Sequence, residues 1–112
     1  MSEYNIYLEN IIESIKKIEV STKYISHDRL KENVDVWDAT LMRLQVIGES
    51  IKKLPSKIKK RHKEVEWRKL AQLRNIISHD YFVVSPKIVE DIIRNKLPSV
   101  KEKINEILEK EK

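Results

Sequence analysis

Cysteine is absent from this chain of 112 residues, glycine occurs once and proline three times. The absence of cysteine excludes a disulfide framework and a metal site built on thiolates. Scarce glycine and proline indicate helices joined by short turns. No apolar run approaches the roughly 20 residues of a membrane span, and residues 1–5 lack the basic-then-apolar layout of a signal peptide. We therefore expect a soluble cytoplasmic protein without a membrane partner.

Charge is abundant and unbalanced towards positive. Charged residues make up 37% of the chain and the formal net charge is +5, which suits an anionic partner such as RNA. The length predicts one domain with a single core over residues 1–112. A dense group of positive side chains could follow an RNA backbone or simply face solvent. This basic cluster comprises Lys52, Lys53, Lys57, Lys59, Lys60 and Arg61.

Apolar residues recur at steps of three and four in two long segments, a pattern typical of amphipathic helices. The first stripe spans residues 4–18 and the second spans residues 30–51. Gly48 lies inside the second stripe, where it predicts the close approach of another helix. Pro55 is predicted to end this helix, and residues 57–61 to form one or two further turns.

The second half of the chain predicts further helices. A long one begins near Glu66 and carries residues 74–81 at its C-terminal end. Ser85 followed by Pro86 is a strong start signal, because serine caps the free N–H groups and proline suits the first turn. A break at residues 97–99 is predicted to precede a last helix. The fold class expected from these patterns is all-α.

Residues 74–81, Arg-Asn-Ile-Ile-Ser-His-Asp-Tyr, are the most informative part of the chain. The guanidinium of Arg74 stays charged at any working pH and offers a rigid fork of donors to phosphate. An unperturbed histidine titrates near neutrality, at a pKa of about 6.5, so a residue of this type, here His79, can both take and give a proton. RNA cleavage by its own 2′-hydroxyl requires a group that moves the proton and another that stabilises the charged phosphate. We therefore regard Arg74 and His79 as candidate catalytic residues.

The spacing of these two residues is a difficulty for a site within one chain. Five residues of a regular helix turn by about 500°, which leaves about 140° between the side chains. Either the helix ends or bends near Ser78, or a second subunit completes the site. At a helix C-terminus the dipole would favour protonated His79, which suits a general acid. For this spacing alone, a solvated Arg74 and a histidine that caps a helix end is the commoner explanation.

Three neighbouring side chains give weaker signals. Asn75 could orient phosphate or ribose, or simply lie on the surface. If the segment after His79 is extended, Tyr81 lies on the same side of the chain, and a bulky charged adduct on it would crowd the histidine. Otherwise the tyrosine packs over the helix end. Trp67 could stack a base or belong to the core.

Metal and nucleotide sites lack a sequence signal. His27 and His62 have no companions with the spacing of metal ligands. Neither a glycine-rich phosphate loop nor a nucleophile elbow occurs. We expect no metal and no cofactor.

Residues 44–55, LQVIGESIKKLP, and residues 67–82, WRKLAQLRNIISHDYF, resemble signatures of the HepT-like branch of the HEPN superfamily. The similarity continues through residues 95–98 and covers essentially the whole chain, in the right order and spacing. It is much more specific than an arginine and a histidine five residues apart. Ser50 stands where the family often has alanine, and Glu66 where it often has proline.

The resemblance implies an antiparallel HEPN-type four-helix bundle with a short additional helix, dimerising through the bundle. It implies a metal-independent endoribonuclease that leaves 2′,3′-cyclic phosphate and 5′-hydroxyl ends. The Arg-x4-His pairs of both subunits would meet in a cleft at the dimer interface. Carried over to this chain, Arg74 binds the scissile phosphate, His79 is the acid/base residue and Asn75 supports substrate binding.

The resemblance also implies a toxin of a type VII-like toxin–antitoxin system. The expected partner is an MntA-type minimal nucleotidyltransferase, which would transfer AMP from ATP to Tyr81 and silence the nuclease. A larger hetero-oligomer of toxin and antitoxin is compatible with this, and Ser78 is a second hydroxyl that could accept the AMP. The alternative is a non-catalytic module that binds a nucleotide or docks a nucleotidyltransferase, in which His79 would be dispensable.

Overall fold

The computed structural model describes residues 4–110, apart from the side chains of His27, Asp80 and Phe82. The two ends of the predicted domain, residues 1–3 and 111–112, lie outside the described part. Within residues 4–110 no β-strand occurs, which confirms the all-α prediction. None of the helices in this range combines the length and the apolar content needed to cross a membrane. In chain order the elements are α1 (Asn5–Thr22), a 3₁₀ helix (His27–Glu32), α2 (Val34–Lys53), α3 (Ser56–Arg61), α4 (Trp67–Asp80), a second 3₁₀ helix (Tyr81–Val83), α5 (Pro86–Asp91), a π-helical segment (Ile92–Lys96) and α6 (Leu97–Lys110).

The bundle is organised around α2, which packs against α1 and against α4. Helix α1 also packs against α6, so the four long helices share one core. The first stripe and most of the second face this core, since Ile11 and Ile15 of α1 and Leu41 and Leu44 of α2 are fully buried. Burying each such side chain contributes about 1.5–3 kcal/mol. The start of the second stripe differs from the prediction, because Leu30 lies in the 3₁₀ helix before α2 and Val34 is 63% exposed. The long helices form the predicted helical bundle, and α3 is its short additional helix.

Local signals set the helix ends that frame the site. The side chain of Asn33 accepts a hydrogen bond from the N–H of Val36 at 3.3 Å and caps the start of α2. Helix α2 ends just before Pro55, as predicted. Trp67, at the start of α4, is buried and donates its indole N–H to the carbonyl oxygen of His62 at 2.9 Å. Trp67 is therefore a core residue and not a platform for a base.

The break predicted at residues 97–99 is wrong. Leu97 donates its N–H to the carbonyl oxygen of Ile92, five residues earlier, and this π-helical segment joins α5 to α6. In a regular helix the ring of Pro98 would meet the carbonyl group of Arg94, four residues earlier. The wider π turn immediately before Pro98 lets the chain continue as a helix.

Candidate active site

The contact between α2 and α4 depends on Gly48. A Cβ atom at this position would lie 2.9 Å from the Cβ of Arg74 and 3.1 Å from its backbone nitrogen. It would also lie 3.3 Å from the carbonyl oxygen of Ala71. A glycine is needed for the two helices to approach this closely, which confirms the prediction for Gly48. The contact holds the backbone of Arg74 directly against α2.

Replacing Gly48 with alanine is expected to lower the free energy of unfolding by about 1–2 kcal/mol. Overpacking a tight contact costs about 1–3 kcal/mol, and the higher helix propensity of alanine returns up to about 1 kcal/mol. The atoms that the new methyl group meets are backbone atoms and a Cβ, so α4 itself must move. Urea unfolding measures the change. Lys52→Ala, exposed on the same helix, is the control and should stay within about 0.5 kcal/mol of wild type. Equal stability of Gly48→Ala and wild type would contradict the tight contact.

Three polar pairs cross the boundary between α2 and α4, and we call their six residues the polar seam. Arg74, Ser78 and Tyr81 are four and three residues apart, so they share one face of the helical segment. Their partners on α2 run in the opposite order, as in antiparallel helices. Arg74 Nε lies 3.1 Å from Glu49 Oε2, Ser78 Oγ donates to Gln45 Oε1 at 3.1 Å, and the Tyr81 hydroxyl donates to Asp38 Oδ1 at 2.5 Å.

Arg74 is held in position without being enclosed. Its side chain is 43% exposed, and that of Glu49 is 48% exposed. The Arg74 Nη1 also donates to Asn75 Oδ1 at 3.5 Å. An exposed ion pair contributes little to stability, so the main effect of Glu49 is to orient the guanidinium. The exposed guanidinium keeps the donor geometry that binds phosphate, and Asn75 lies on the surface beside it.

His79 does not meet Arg74 within one chain. Helix α4 continues through Asp80, so it does not end near Ser78. The side chains of Arg74 and His79 therefore diverge by about 140° around the helix. His79 is exposed and lies in the last turn of α4, where it was predicted. A site that uses both residues needs a second chain.

Tyr81 lies in a helical turn and not in an extended segment. Its φ of −45° and ψ of −47° are right-handed helical values. Two residues of a helix turn by about 200°, so the condition under which Tyr81 and His79 would share a side is not met. Tyr81 instead shares the face of Arg74. The hydrogen bond to Asp38 raises the pKa of the Tyr81 phenol above its ordinary value, and desolvation and the charge of Asp38 act in the same direction.

The α2 half of the polar seam is not recognisable as part of a site from its sequence pattern. Asp38, Gln45 and Glu49 are seven and four residues apart, so they form one stripe along the helix. A polar stripe beside an apolar one is what any partly solvated helix shows. Its pairing with α4 becomes visible only in the folded chain.

Helices α2 and α4 pack together, and both carry exposed residues outside the polar seam: Met42 and Val46, one turn apart on α2, and Asn75, Ile76 and His79 on α4. We call these five residues the open face. The exposed fractions of its apolar members are 59% for Met42, 37% for Val46 and 49% for Ile76. Asn75 and His79 are one helical turn apart on α4, with Ile76 next to them. The open face therefore combines exposed apolar side chains with the candidate acid/base residue.

Metal ligands do not gather in the described part of the chain, where no group of three or more histidine, aspartate or glutamate side chains could hold an ion. His62 is buried, and its Nδ1 lies 3.7 Å from an oxygen of Glu64. The side chain of His27 is not among those that the structure describes. The expectation of a metal-free protein stays a prediction.

The all-α bundle of the described residues is consistent with a HEPN-type helical bundle. The model of the family "Ribonuclease HepT-like" matches residues 11–107 of this chain. The chain belongs to that family, which confirms the resemblance noted in its sequence.

Proteins similar to this chain carry ribonuclease names. The "Putative RNase" of Caldanaerobacter subterraneus subsp. tengcongensis is 31% identical over 106 residues, which cover 95% of each chain. The "Probable ribonuclease HepT" of Thermococcus cleftensis is 32% identical over 101 residues, which cover 90% of this chain and 92% of the relative. The "Gamma-glutamylcyclotransferase and putative RNase" of Methanocaldococcus jannaschii is 33% identical over 107 residues, which cover 96% of this chain but 48% of the relative. This chain therefore spans about half the length of that relative. No solved structure matches this chain.

Proposed function

We propose that this protein is a metal-independent endoribonuclease that works as a symmetric homodimer and acts as the toxin of a toxin–antitoxin pair. The observation that carries the proposal is the placement of Arg74 and His79 on α4. The two side chains diverge by about 140° on a helix that contributes to the open face, so a second copy is needed to complete the site. Membership of the ribonuclease HepT-like family supports RNA as the substrate.

The open face suits contact between two copies of the chain. A twofold dimer uses the same patch on both subunits, and Met42, Val46 and Ile76 offer apolar area on adjacent helices. Burying such area favours association. In the proposed dimer, His79 of one protomer approaches Arg74 of its partner, and the twofold axis generates two such pairs in one cleft.

In the proposed site, Arg74 stabilises the phosphate as negative charge builds on it during attack by the 2′-hydroxyl. His79 moves the proton between the attacking 2′-oxygen and the leaving 5′-oxygen. The bond from phosphorus to the 2′-oxygen forms as the bond to the 5′-oxygen breaks, which leaves a 2′,3′-cyclic phosphate and a 5′-hydroxyl. Glu49 keeps the guanidinium oriented, and Asn75 binds phosphate or ribose beside it.

The basic cluster extends the site along one end of the bundle. Lys52 follows Glu49 by three residues on α2, so it continues the polar seam towards α3. Lys53 is the last residue of α2, and α3 carries the other four positive side chains of the cluster, including the exposed Lys60 and Arg61. RNA bound at Arg74 would continue along this end through phosphate contacts.

The proposed antitoxin is an MntA-type nucleotidyltransferase that transfers AMP from ATP to Tyr81, in a hetero-oligomer with the toxin. Tyr81 is seven residues beyond Arg74 on the same helical face, about 10 Å further along the axis. An adenylate on Tyr81 brings a negative phosphate and a nucleoside into the polar seam. It silences the nuclease by occupying the surroundings of Arg74, and crowding of His79 in the same chain is not required.

The test is an assay in which purified, unmodified protein is mixed with total cellular RNA in EDTA. Cleavage by wild type is compared with cleavage by the Ile76→Glu variant. Wild type is expected to be a dimer that produces cyclic-phosphate ends. Ile76→Glu places a charge in the proposed contact, so we expect a folded monomer whose cleavage is reduced by about 10²-fold or more, because proton transfer from the second chain is lost. Analytical ultracentrifugation reports the mass and circular dichroism reports folding.

Val20→Glu is the matched control, because Val20 is 77% exposed on α1, outside the open face. It should remain dimeric and active. An active Ile76→Glu monomer would overturn the two-chain site. A folded, dimeric wild type that cuts no RNA would favour the non-catalytic nucleotide-binding or docking module.

A further inference from the structure

The hydrogen bond between Tyr81 and Asp38 joins the turn after α4 to α2 across 43 positions of the chain. The ring of Tyr81 is half-buried and packs against the hydrophobic core. Its hydroxyl donates to Asp38 Oδ1 at 2.5 Å, within the short range of bonds from a hydroxyl to a carboxylate. The core therefore holds the ring, and a carboxylate holds its reactive oxygen.

A second hydroxyl on the same face has a different kind of partner. Ser78 Oγ donates to Gln45 Oε1 at 3.1 Å. A neutral amide oxygen accepts a hydrogen bond but does not take up a proton, whereas a carboxylate does both. Of these two hydroxyl groups, Tyr81 is the one that has a base in contact with it.

We propose that Asp38 positions the Tyr81 hydroxyl for nucleotidylation and accepts its proton as the reaction proceeds. This inference rests on the proposed function, in which Tyr81 is the acceptor of AMP. The Tyr81 oxygen attacks the α-phosphorus of ATP, a new O–P bond forms, and pyrophosphate leaves with the electrons of the bond that breaks. The phenol proton passes to Asp38 Oδ1 and from there to solvent. Asp38 acts on the modification of the toxin and has no part in RNA cleavage.

The protonation state of the Tyr81 phenol explains why transfer of AMP needs a proton acceptor. Because the bond to Asp38 raises the pKa of Tyr81, the free phenolate is scarcer than in an ordinary tyrosine. Transfer then depends on removal of the proton in the transition state. After transfer the phenolic oxygen has no proton to donate, and the carboxylate repels the negative phosphodiester. The adduct is thereby directed away from Asp38 and along the polar seam towards Arg74.

The first test is the rate of AMP transfer from ATP to this protein by an MntA-type nucleotidyltransferase, the class of enzyme proposed as the antitoxin. In Asp38→Asn the amide still accepts a hydrogen bond but takes no proton, so kcat is expected to fall about 10²-fold with KM nearly unchanged. Asp38→Glu should recover part of the rate. Asp35→Asn removes an exposed carboxylate one turn earlier on α2 and should behave as wild type.

Two outcomes of that test would overturn the inference. Equal kcat for wild type and Asp38→Asn would show that Asp38 does not take the proton. AMP found on Ser78 in a Tyr81→Phe variant, at the wild-type rate, would show that the carboxylate does not select the hydroxyl.

A measurement without the antitoxin separates failure of this inference from failure of the proposed function. Ultraviolet difference titration of wild type against Tyr81→Phe follows the Tyr81 phenol alone. We expect its pKa to lie above that of ordinary tyrosine in wild type and to return towards it in Asp38→Asn. An unchanged pKa in Asp38→Asn would overturn the inference whatever the nucleotidyltransferase does. A changed pKa without AMP transfer to wild type would overturn the proposed antitoxin reaction and the proton-acceptor role together, while the nuclease would be unaffected.

Discussion

Alanine in place of Arg74 or of His79 is expected to lower RNA cleavage by about 10²- to 10⁴-fold in each case. The Arg74 variant loses the cation that stabilises the developing phosphate charge, and the His79 variant loses the group that moves the proton. Both side chains lie at the surface, so both variants should remain folded dimers. Cleavage of total RNA in EDTA, with analysis of the RNA ends, measures the loss. Growth inhibition by the expressed protein should disappear in parallel.

Mixing the two inactive variants tests where the two halves of the site come from. If each site takes Arg74 from one protomer and His79 from the other, a dimer of Arg74→Ala with His79→Ala has one intact site and one site without either group. Random reassociation makes half of the dimers mixed, so activity should return to about a quarter of the wild-type value. A site contained within one chain would give no recovery, because no chain in the mixture holds both residues.

Arg68→Ala serves as the control for these variants, because Arg68 is exposed in the first turn of the same helix. It should cleave RNA and inhibit growth like wild type. Toxicity that persists in both Arg74→Ala and His79→Ala would contradict the proposed site. Loss of activity without recovery on mixing would leave the catalytic residues but contradict the shared arrangement.

Adenylation of Tyr81 is expected to stop RNA cleavage, with a loss as large as that in Arg74→Ala. The adduct places a phosphodiester and a nucleoside in the polar seam, where an Arg74 bound to that phosphate no longer serves the RNA. Tyr81→Phe keeps the aromatic ring but has no acceptor oxygen, so it should cut RNA and escape silencing by the nucleotidyltransferase. Mass spectrometry of the purified protein would establish the extent of modification before each cleavage assay.

Tyr24→Phe is the matched control for this prediction, because Tyr24 is 89% exposed in the turn that follows α1. It should be modified and silenced as wild type is. Fully adenylated wild type that still cuts RNA would contradict silencing at Tyr81. Tyr81→Phe that is nevertheless silenced by modification would place the acceptor elsewhere, with Ser78 as the first residue to examine.

Much of the helical framework could be predicted from sequence because its signals act over a few residues. Ser85 caps α5 by accepting a hydrogen bond from the N–H of Ile88 at 3.4 Å, with Pro86 in the first turn as predicted. Gly48 in an apolar stripe predicted a close helix contact, and a methyl group there would overlap Arg74. These predictions succeed because periodicity, capping and steric size are local properties of the chain.

Two expectations about the backbone did not hold, and the reason is related in both cases. Pro98 predicted a break, but a π turn ending at Leu97 carries the helix across it. The segment after His79 was open to an extended interpretation, and it is helical through Tyr81. In both places the sequence indicates that the helix is irregular, but it does not indicate whether the chain breaks, extends or continues as another type of helix. That outcome depends on how the segment packs onto the bundle.

Arg74 and His79 could be selected as candidates from the chemistry of their side chains, since phosphate binding and proton transfer each require particular groups. The role of Tyr81 as an acceptor of AMP is implied by the resemblance to the HepT-like family. The relations of these residues in space depend on tertiary structure. The seam that pairs Asp38 with Tyr81 joins residues 43 positions apart, and it lies along the two helices that Gly48 allows to approach closely. Helix periodicity records which residues share a face, but contacts between faces of different helices are set by how the helices dock, which no local pattern encodes.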